Sequence, residues 1–487
     1  MDWQGASEAW WGRLVLERGI AAVYVVAFVC AARQFRGLIG AHGMLPVPQY
    51  VATQRFWSAP SLFALHYSDR FFAAVSWAGA LVAAAMAFGV GDVLPLWGAV
   101  LVWLALWAAY LSIVNVGQIW YSFGWESLLL EAGFLAVFLG NEETAPPLLV
   151  MILVRWLVFR VEFGAGLIKL RGDRCWRDLT CLDYHHETQP MPGPLSWFFH
   201  RLPKPLHRVE VAGNHVVQLV VPFGLLAPQP VASAAAMIIV VTQLWLVLSG
   251  NFSWLNWLTI VLAASVVDTS TVSALLGVSR PSEAIDTMPV WFGVLVIGYA
   301  ATVVVLSWRP ARNMLSPRQR MNSTFDPLHL VNSYGAFGSI ARERREVVFE
   351  GTSADTPTEA GTQWTEYQFK GKPGEVGRLP RQWSPYHLRL DWLMWFAAIS
   401  PAYARPWIVK FCEGLLTNDR AILKLLRHNP FEADPPRYVR ARLYRYRFTT
   451  ARELIRDRAW WHRELLGPYL EPLSLREAER LGSRGLR

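Results

Sequence analysis

The stretch GAGLIKLRGDRCWRDLTCLDYHHETQPMPGP, residues 164–194, holds many of the side chains in this chain that could do chemistry. Lys169 ends an apolar run. At a span end a lysine ordinarily extends its ammonium to the headgroups; held in an apolar chamber instead, it is a competent general base. Cys175 and Cys181, spaced C-x5-C, can bridge if the loop faces an oxidising compartment and are plain thiols if it faces the cytosol. Asp183, His185, His186 and Glu187 carry metal-ligating atoms. Adjacent histidines in an extended segment point in opposite directions, however, and the spacing fits no paired zinc pattern, so no metal site is expected. Arg171, Asp173, Trp176 and Asp178 complete a polar surface, and Gln189-Pro-Met-Pro-Gly-Pro194 forces an extended path out of it. The loop reads as a fixed surface, not a slack linker.

A second set of charges lies upstream inside apolar runs. Glu126 and Glu131 share one run; Arg155, Arg160 and Glu162 share the next. A charge facing lipid costs at least ~2.5 kcal/mol, so these groups should face each other or a wet cavity. Pairing of Glu126 and Glu131 with Arg155 and Arg160 across adjacent helices is the economical arrangement. A polar chamber opening toward the 171–210 loop is the alternative.

The elements that must position these residues follow from composition. Of 487 residues 53% are hydrophobic and 17% charged, against about a quarter charged in a soluble domain. The shortfall is uneven: from Arg309 onward there are 30 Lys+Arg and 19 Asp+Glu, leaving 16 and 18 for the first 308 residues. Apolar stretches of spanning length occupy 71–90, 94–114, 211–228, 231–248, 252–267 and 288–308, with shorter or charged ones at 19–32, 126–140 and 147–164. The expectation is a polytopic α-helical membrane bundle of about nine spans, give or take two, over 1–308. Trp97, Trp107, Trp120, Trp254, Trp291 and Trp308 lie near run ends, where an amphipathic ring prefers the interface. No cleavable leader is visible, so the first span should also serve for insertion. Arg309, Arg312, Arg318 and Arg320 after the last run argue for a cytoplasmic C-terminal half. The 33–72 and 171–210 loops also carry arginine, which leaves sidedness open.

Residues 309–324 read as a basic connector, and 325–487 as a basic, β-containing α+β domain with helices. Strand patterns appear at 346–352, 364–370 and 438–448, helical ones at 391–399, 406–416 and 421–428. Arg440, Arg442, Arg445 and Arg447 alternate along 438–448, as on a solvated basic edge or face. The positive balance favours an acidic partner or anionic headgroups. No nucleic-acid-binding motif is present, and no nucleic-acid partner is expected.

The loop quoted above, with SGNFSWLNWLT (249–259), NSYGAFGSI (332–340), SPYHLRLDWLMWFAA (384–398) and HNPF…PPRYVRARLYRYRF (428–448), closely resembles the lipase maturation factor family. Animal members are endoplasmic-reticulum membrane proteins that help secreted lipases fold and assemble into active homodimers. The resemblance implies a membrane-embedded maturation factor with a client lipase or related hydrolase and no cofactor. Its β-containing domain would bind client, through aromatic candidates Tyr334, Phe337, Trp383, Tyr386, Trp392, Trp395, Tyr444 and Tyr446. Lumenal placement of that domain in the family opposes the arginine bias and would put Cys175 and Cys181 on an oxidising side, where they could pair.

A wider resemblance bears on mechanism. AGLIKL with Trp176 downstream is similar to the segment of the vitamin K-dependent γ-carboxylase superfamily in which the lysine aligned with Lys169 deprotonates a quinol. No second catalytic element is visible. The alternative reading is therefore a membrane enzyme using Lys169 as a base on a lipid or quinone-like ligand, and the preferred one is not an enzyme. Arginine outnumbers lysine 40 to 6, which suits a GC-rich bacterial genome and a bacterial plasma membrane; the endoplasmic reticulum is expected if the source is eukaryotic.

Overall fold

The structure, a computed structural model, describes residues 7–277, 288–359 and 361–484; the last three residues of the expected 325–487 domain lie outside the described residues. Five described helices are long and apolar enough to cross a membrane: Trp10–Leu38, Asp69–Ala87, Leu96–Val116, Val231–Ser249 and Val290–Leu315. A sixth span results if Leu255–Ala264 and Thr269–Leu276, bent by 100° between them, are one broken crossing. By length and composition alone, three other expected spans are not among these. Gly124–Ala136 has 13 residues, about 20 Å at 1.5 Å per residue. Leu148–Arg171 is long but carries Arg155, Arg160, Glu162, Lys169 and Arg171. Lys204–Leu219 starts polar and is broken before Pro222.

Trp10–Leu38 is the axis of the bundle, packed against Asp69–Ala87, Gly124–Ala136 and Leu255–Ala264. Its Leu16, Ile20, Tyr24 and Phe28 are fully buried. Helices approach closely at Gly133, where an added Cβ would stand 1.7 Å from the Tyr24 hydroxyl.

The bundle has two distinct ends. At one, Arg13 donates to the Asn141 and Thr144 carbonyls. There too Gln229 Nε2 donates to Val266 O (3.0 Å), and Thr269 Oγ1 to Glu8 O (2.7 Å). At the other end sits the C-terminal half. Gln34 Nε2 donates to His387 O (2.7 Å), Asn115 Nδ2 to Pro327 O (3.2 Å) and Asn251 Nδ2 to Arg381 O (2.9 Å). One buried hydrophobic cluster runs without interruption from the bundle into this half.

The C-terminal half is built on a four-stranded antiparallel sheet in the order Thr365–Glu366, Arg344–Thr352, Tyr438–Phe448, Trp461–Ser474. The two central strands pair continuously from Arg344↔Tyr446 to Thr352↔Tyr438. Helices Arg389–Ile399 and Ile408–Leu416 pack on it. The expected strand at 364–370 shrinks to two residues, and the expected helix at 421–428 to Arg420–Leu423. Trp461–Ser474 has no counterpart in the sequence reading. Gly467, Pro468 and Pro472 hide its alternation, and they are tolerated because it is an edge strand with bulged pairing. The connector begins as helix, Trp308–Leu315, and is tied to the bundle: Arg171 NH1 donates to Met314 O (2.5 Å) and Gln319 Nε2 to Gly164 O (3.0 Å).

Candidate functional site

Two intramembrane carboxylates join the halves. Glu126 lies in the first turn of Gly124–Ala136, at the bundle end under the C-terminal half. Its Oε1 accepts from Arg389 NH1 at 2.7 Å, and both side chains are 0% exposed. Arg389 also donates to Trp120 O (2.6 Å), lies over the Tyr121 ring, and shares Glu126 with the Tyr110 hydroxyl. Glu131, one turn on, ion-pairs with Arg160 and accepts from Asn332 N (3.0 Å) and Tyr334 Oη (2.6 Å). Arg160 NH1 in turn donates to Asn332 O (2.7 Å). The expected Glu131–Arg160 pair is thus present, whereas Glu126 finds its arginine 263 residues away. Arg155 does not take part. Antiparallel packing puts it at the far end of its helix, where it donates to the Leu225 and Ala227 carbonyls.

Lys169 is buried and does not reach a headgroup surface. Its Nζ donates to Gln218 Oε1 (2.8 Å) and lies over the Trp176 ring. Gln218 and Gln243 both donate to Glu162 (3.3 and 2.6 Å), and Asn256 donates to Gln243 (2.6 Å). The chain of amides links a buried cation to a buried anion and leaves each with partners. Gln218, Gln243 and Asn256 were not among the residues expected at the site, although amides inside apolar runs are a visible signal.

Of the expected 171–210 loop, residues 204–210 belong to the helix Lys204–Leu219, and the remainder is tied down by side-chain contacts. A disulfide joins Cys175 and Cys181, with Cα atoms 4.8 Å apart. Asp173 caps the following turn at Cys175 N (3.0 Å) and ion-pairs with Arg342 at 2.7 Å. Trp176 Nε1 donates to Phe337 O (2.8 Å). Gly172 admits the close approach: an added Cβ would stand 2.0 Å from Gly338 O. Asp178 stays at the surface with Arg174, and Asp183 faces His207 Nδ1 at 3.2 Å. His185 packs between the Phe252 and Phe337 rings, while His186 faces Phe199 and His207. Burial holds His185 down at about 3 and His186 well below the usual imidazole range, so both are neutral. His200 is held at about 4 by burial and then by Arg201; burial raises Glu187, 3.6 Å from it.

A further cluster escaped sequence reading. Buried Arg344 donates to the Glu187 and Pro190 carbonyls (2.9 and 3.0 Å) and pairs with Glu346, whose other oxygen meets Lys372 at 2.8 Å. These interactions stitch the loop to the central strand.

The aromatic client candidates divide sharply. Tyr334, Trp392, Tyr444 and Tyr446 are interior, the last 1% exposed, and offer a partner no surface. Phe337, Trp383, Tyr386 and Trp395 are half-buried against their own bundle; Trp395 Nε1 donates to Thr188 O (2.9 Å). Trp395 also rims an open cleft of about 320 Å³ lined by Arg342, Glu343, Arg345 and Ile399. The basic face expected on 438–448 is neutralised. Arg440 and Arg442 meet Glu350, Arg445 meets Glu343 and Glu464, and Arg447 meets Glu453.

The family model for the lipase maturation factor transmembrane domain matches residues 11–274, and that for the lipase maturation factor C-terminal domain matches residues 330–471. Lipase maturation factor 1 of Bos taurus is 42% identical over 96% of this chain and 90% of its own length. The Homo sapiens protein of that name is 40% identical over 96% and 88%. Lipase maturation factor 2 of Homo sapiens is 29% identical over 95% and 82%. No solved structure matches. Apolar helices of spanning length, a C-terminal half clamped to them, and identity at this level along nearly the whole sequence establish that this chain is a membrane protein of the lipase maturation factor family.

Proposed function

We propose that the chain assists the folding or assembly of secreted lipases or related hydrolases, without chemistry of its own. The observation that supports this reading is the 40–42% identity, over 96% of the chain, to proteins named for lipase maturation. The geometry supports a platform: Glu126 and Glu131 each bind groups of the C-terminal half inside the bundle, so the two halves present one rigid surface. Client contact then falls to the accessible rim that includes Trp395, Ile399 and Arg345. None of the relatives reported above supports the enzyme alternative, and the ammonium of Lys169 is already engaged by Gln218.

The finer topology follows the same contacts. Nine passes alternating between the two bundle ends fit the bonding of the end loops, with Glu8 opposite the C-terminal half. The Cys175–Cys181 bridge favours an oxidising compartment on the side of the loop and C-terminal half. The endoplasmic-reticulum lumen and the bacterial periplasm both satisfy this. Only the arginine excess favours the bacterial membrane, and the reported relatives are animal proteins.

The test is complementation. In animal cells lacking their own maturation factor, the chain should restore secretion of active lipase, and Lys169→Gln should restore it to within about twofold per folded molecule. Loss of active lipase at unchanged levels of folded Lys169→Gln would return the enzyme reading. Failure of the parent chain at normal folded levels would refute the lipase client.

A further inference from the structure

The positive charge of the C-terminal half is unevenly answered. Every arginine along Tyr438–Phe448 has a carboxylate partner. Arg309, Arg312, Arg318 and Arg320 in the connector have none within ion-pair distance among the described residues. Arg309 donates only to Phe325 O (3.0 Å), while the backbone of Arg320 is bonded to Asn313 through N (2.9 Å) and O (3.0 Å). The nearest acid along the chain, Asp326, spends Oδ1 on the Leu328 and Leu330 amides.

These four guanidiniums sit on a folded strap. The Asn313–Arg320 bonds close it into a hairpin, and Arg171 and Gln319 fasten it to the Leu148–Arg171 helix. It continues from Val290–Leu306, part of the least buried of the five long apolar helices. Exposed apolar side chains interleave with the arginines: Trp308 is 69% exposed, Leu315 78% and Met321 49%. A ring and two aliphatic groups directed outward at a span end, among unanswered cations, suit the headgroup layer and not bulk water.

We propose that the strap 308–321 is a binding surface for an anionic phospholipid: the phosphate is held by Arg312, Arg318 and Arg320 while Trp308 and Leu315 enter the acyl boundary. The charge complementarity selects the headgroup, and the adjacent lipid-exposed span selects a membrane lipid over a soluble anion. Lipid binding at the strap is independent of any client.

The experiment uses the full chain purified in mild detergent, with phosphatidylglycerol and phosphatidylcholine offered together and retained lipid counted by native mass spectrometry. Phosphatidylglycerol should be retained over phosphatidylcholine by on the order of tenfold, falling steeply as salt rises. The triple variant Arg312→Gln/Arg318→Gln/Arg320→Gln should bring the two lipids level; Arg309 is kept because it bonds Phe325 O. Arg440→Gln/Arg442→Gln, in which the replaced arginines had a carboxylate partner, should leave the preference unchanged. If the glutamine triple does not fold, the lysine triple should keep the preference, and the salt dependence of the parent chain still decides. Equal retention of both lipids by the parent, an unaltered preference in a folded glutamine triple, or displacement by millimolar inorganic phosphate would each overturn the proposal.

Discussion

At the scale of single residues the most consequential contact is Arg389 with Glu126. Both are fully buried, and the pair is reinforced by Trp120 O and the Tyr110 hydroxyl. Taking two charges out of water is costly, so such a pair adds little net stability over an apolar pair of similar shape. Removing one partner is different, because the other charge stays buried without compensation. Arg389→Leu should therefore destabilise by about 3–5 kcal/mol. The double change Arg389→Leu/Glu126→Leu should recover most of that loss. The thermal midpoints of the two variants in detergent check this, and a double variant no more stable than the single would show that the pair is not the source. Lys169 contrasts with Arg389: it reaches its buried anion, Glu162, only through Gln218, and Gln243 still donates to that carboxylate when the lysine is lost.

The legibility of the sequence differs from element to element. Long apolar runs announced Asp69–Ala87, Leu96–Val116 and Val231–Ser249, because twenty apolar residues have few other uses, whereas Trp10–Leu38 showed only the shorter run 19–32 since Arg13, Glu17 and Arg18 lie in its first turns. Strand Tyr438–Phe448 was legible from an alternation that holds on either side of one break at Leu443 and Tyr444, where its pairing with the edge strand is bulged. The edge strand Trp461–Ser474 was not, since its prolines cancel the pattern that defines a strand. Of the candidate site, local features were readable: the close spacing of Cys175 and Cys181, which permits a bridge without deciding it, and Glu131 against Arg160 on neighbouring helices. Nothing local tells Glu126 that its partner is Arg389, or Glu131 that Asn332 and Tyr334 will reach it, because burial at the junction is decided by how the two halves meet. The disulfide element gives a direct check. Of four cysteines, Cys30 and Cys412 are free and buried. Unfolded without reduction, the protein should expose two thiols to maleimide, and after reduction four. Because the bridge closes a loop of separation 6, its removal by Cys175→Ser/Cys181→Ser should cost roughly 2 kcal/mol on loop entropy. Four reactive thiols in the unreduced, unfolded chain would remove the bridge and, with it, the argument for an oxidising side.

On the scale of the whole molecule, the two halves meet through neutral histidines, which makes their union sensitive to acid. His387 lies 3.7 Å from Glu126 and beside Arg389, among the Phe123, Trp125, Trp254 and Trp392 rings; burial, then Arg389, holds it at about 4. His200, beside Glu187, Arg201 and His207, stands at about 4, and His185, near Lys169, at about 3. In the unfolded chain all three titrate near the ordinary 6.5. Between that value and the folded ones, the unfolded state binds more protons, so stability falls as pH falls. Each fully buried histidine contributes a slope of up to about 1.4 kcal/mol per pH unit. Glu187 and Asp391 work in the opposite sense, since burial raises their folded values and lets the fold take up a proton first, but His186 and His329, also held low by burial, add to the three histidines. The thermal midpoint of the purified protein should therefore be level above about pH 7 and decline from about 6.5 toward 4. His387→Phe, which removes one titrating site while keeping an aromatic ring among its neighbours, should make that decline shallower. A profile that is flat from pH 7 to 5 would mean that these rings are hydrated in the folded protein, and that the junction is looser than its packing implies.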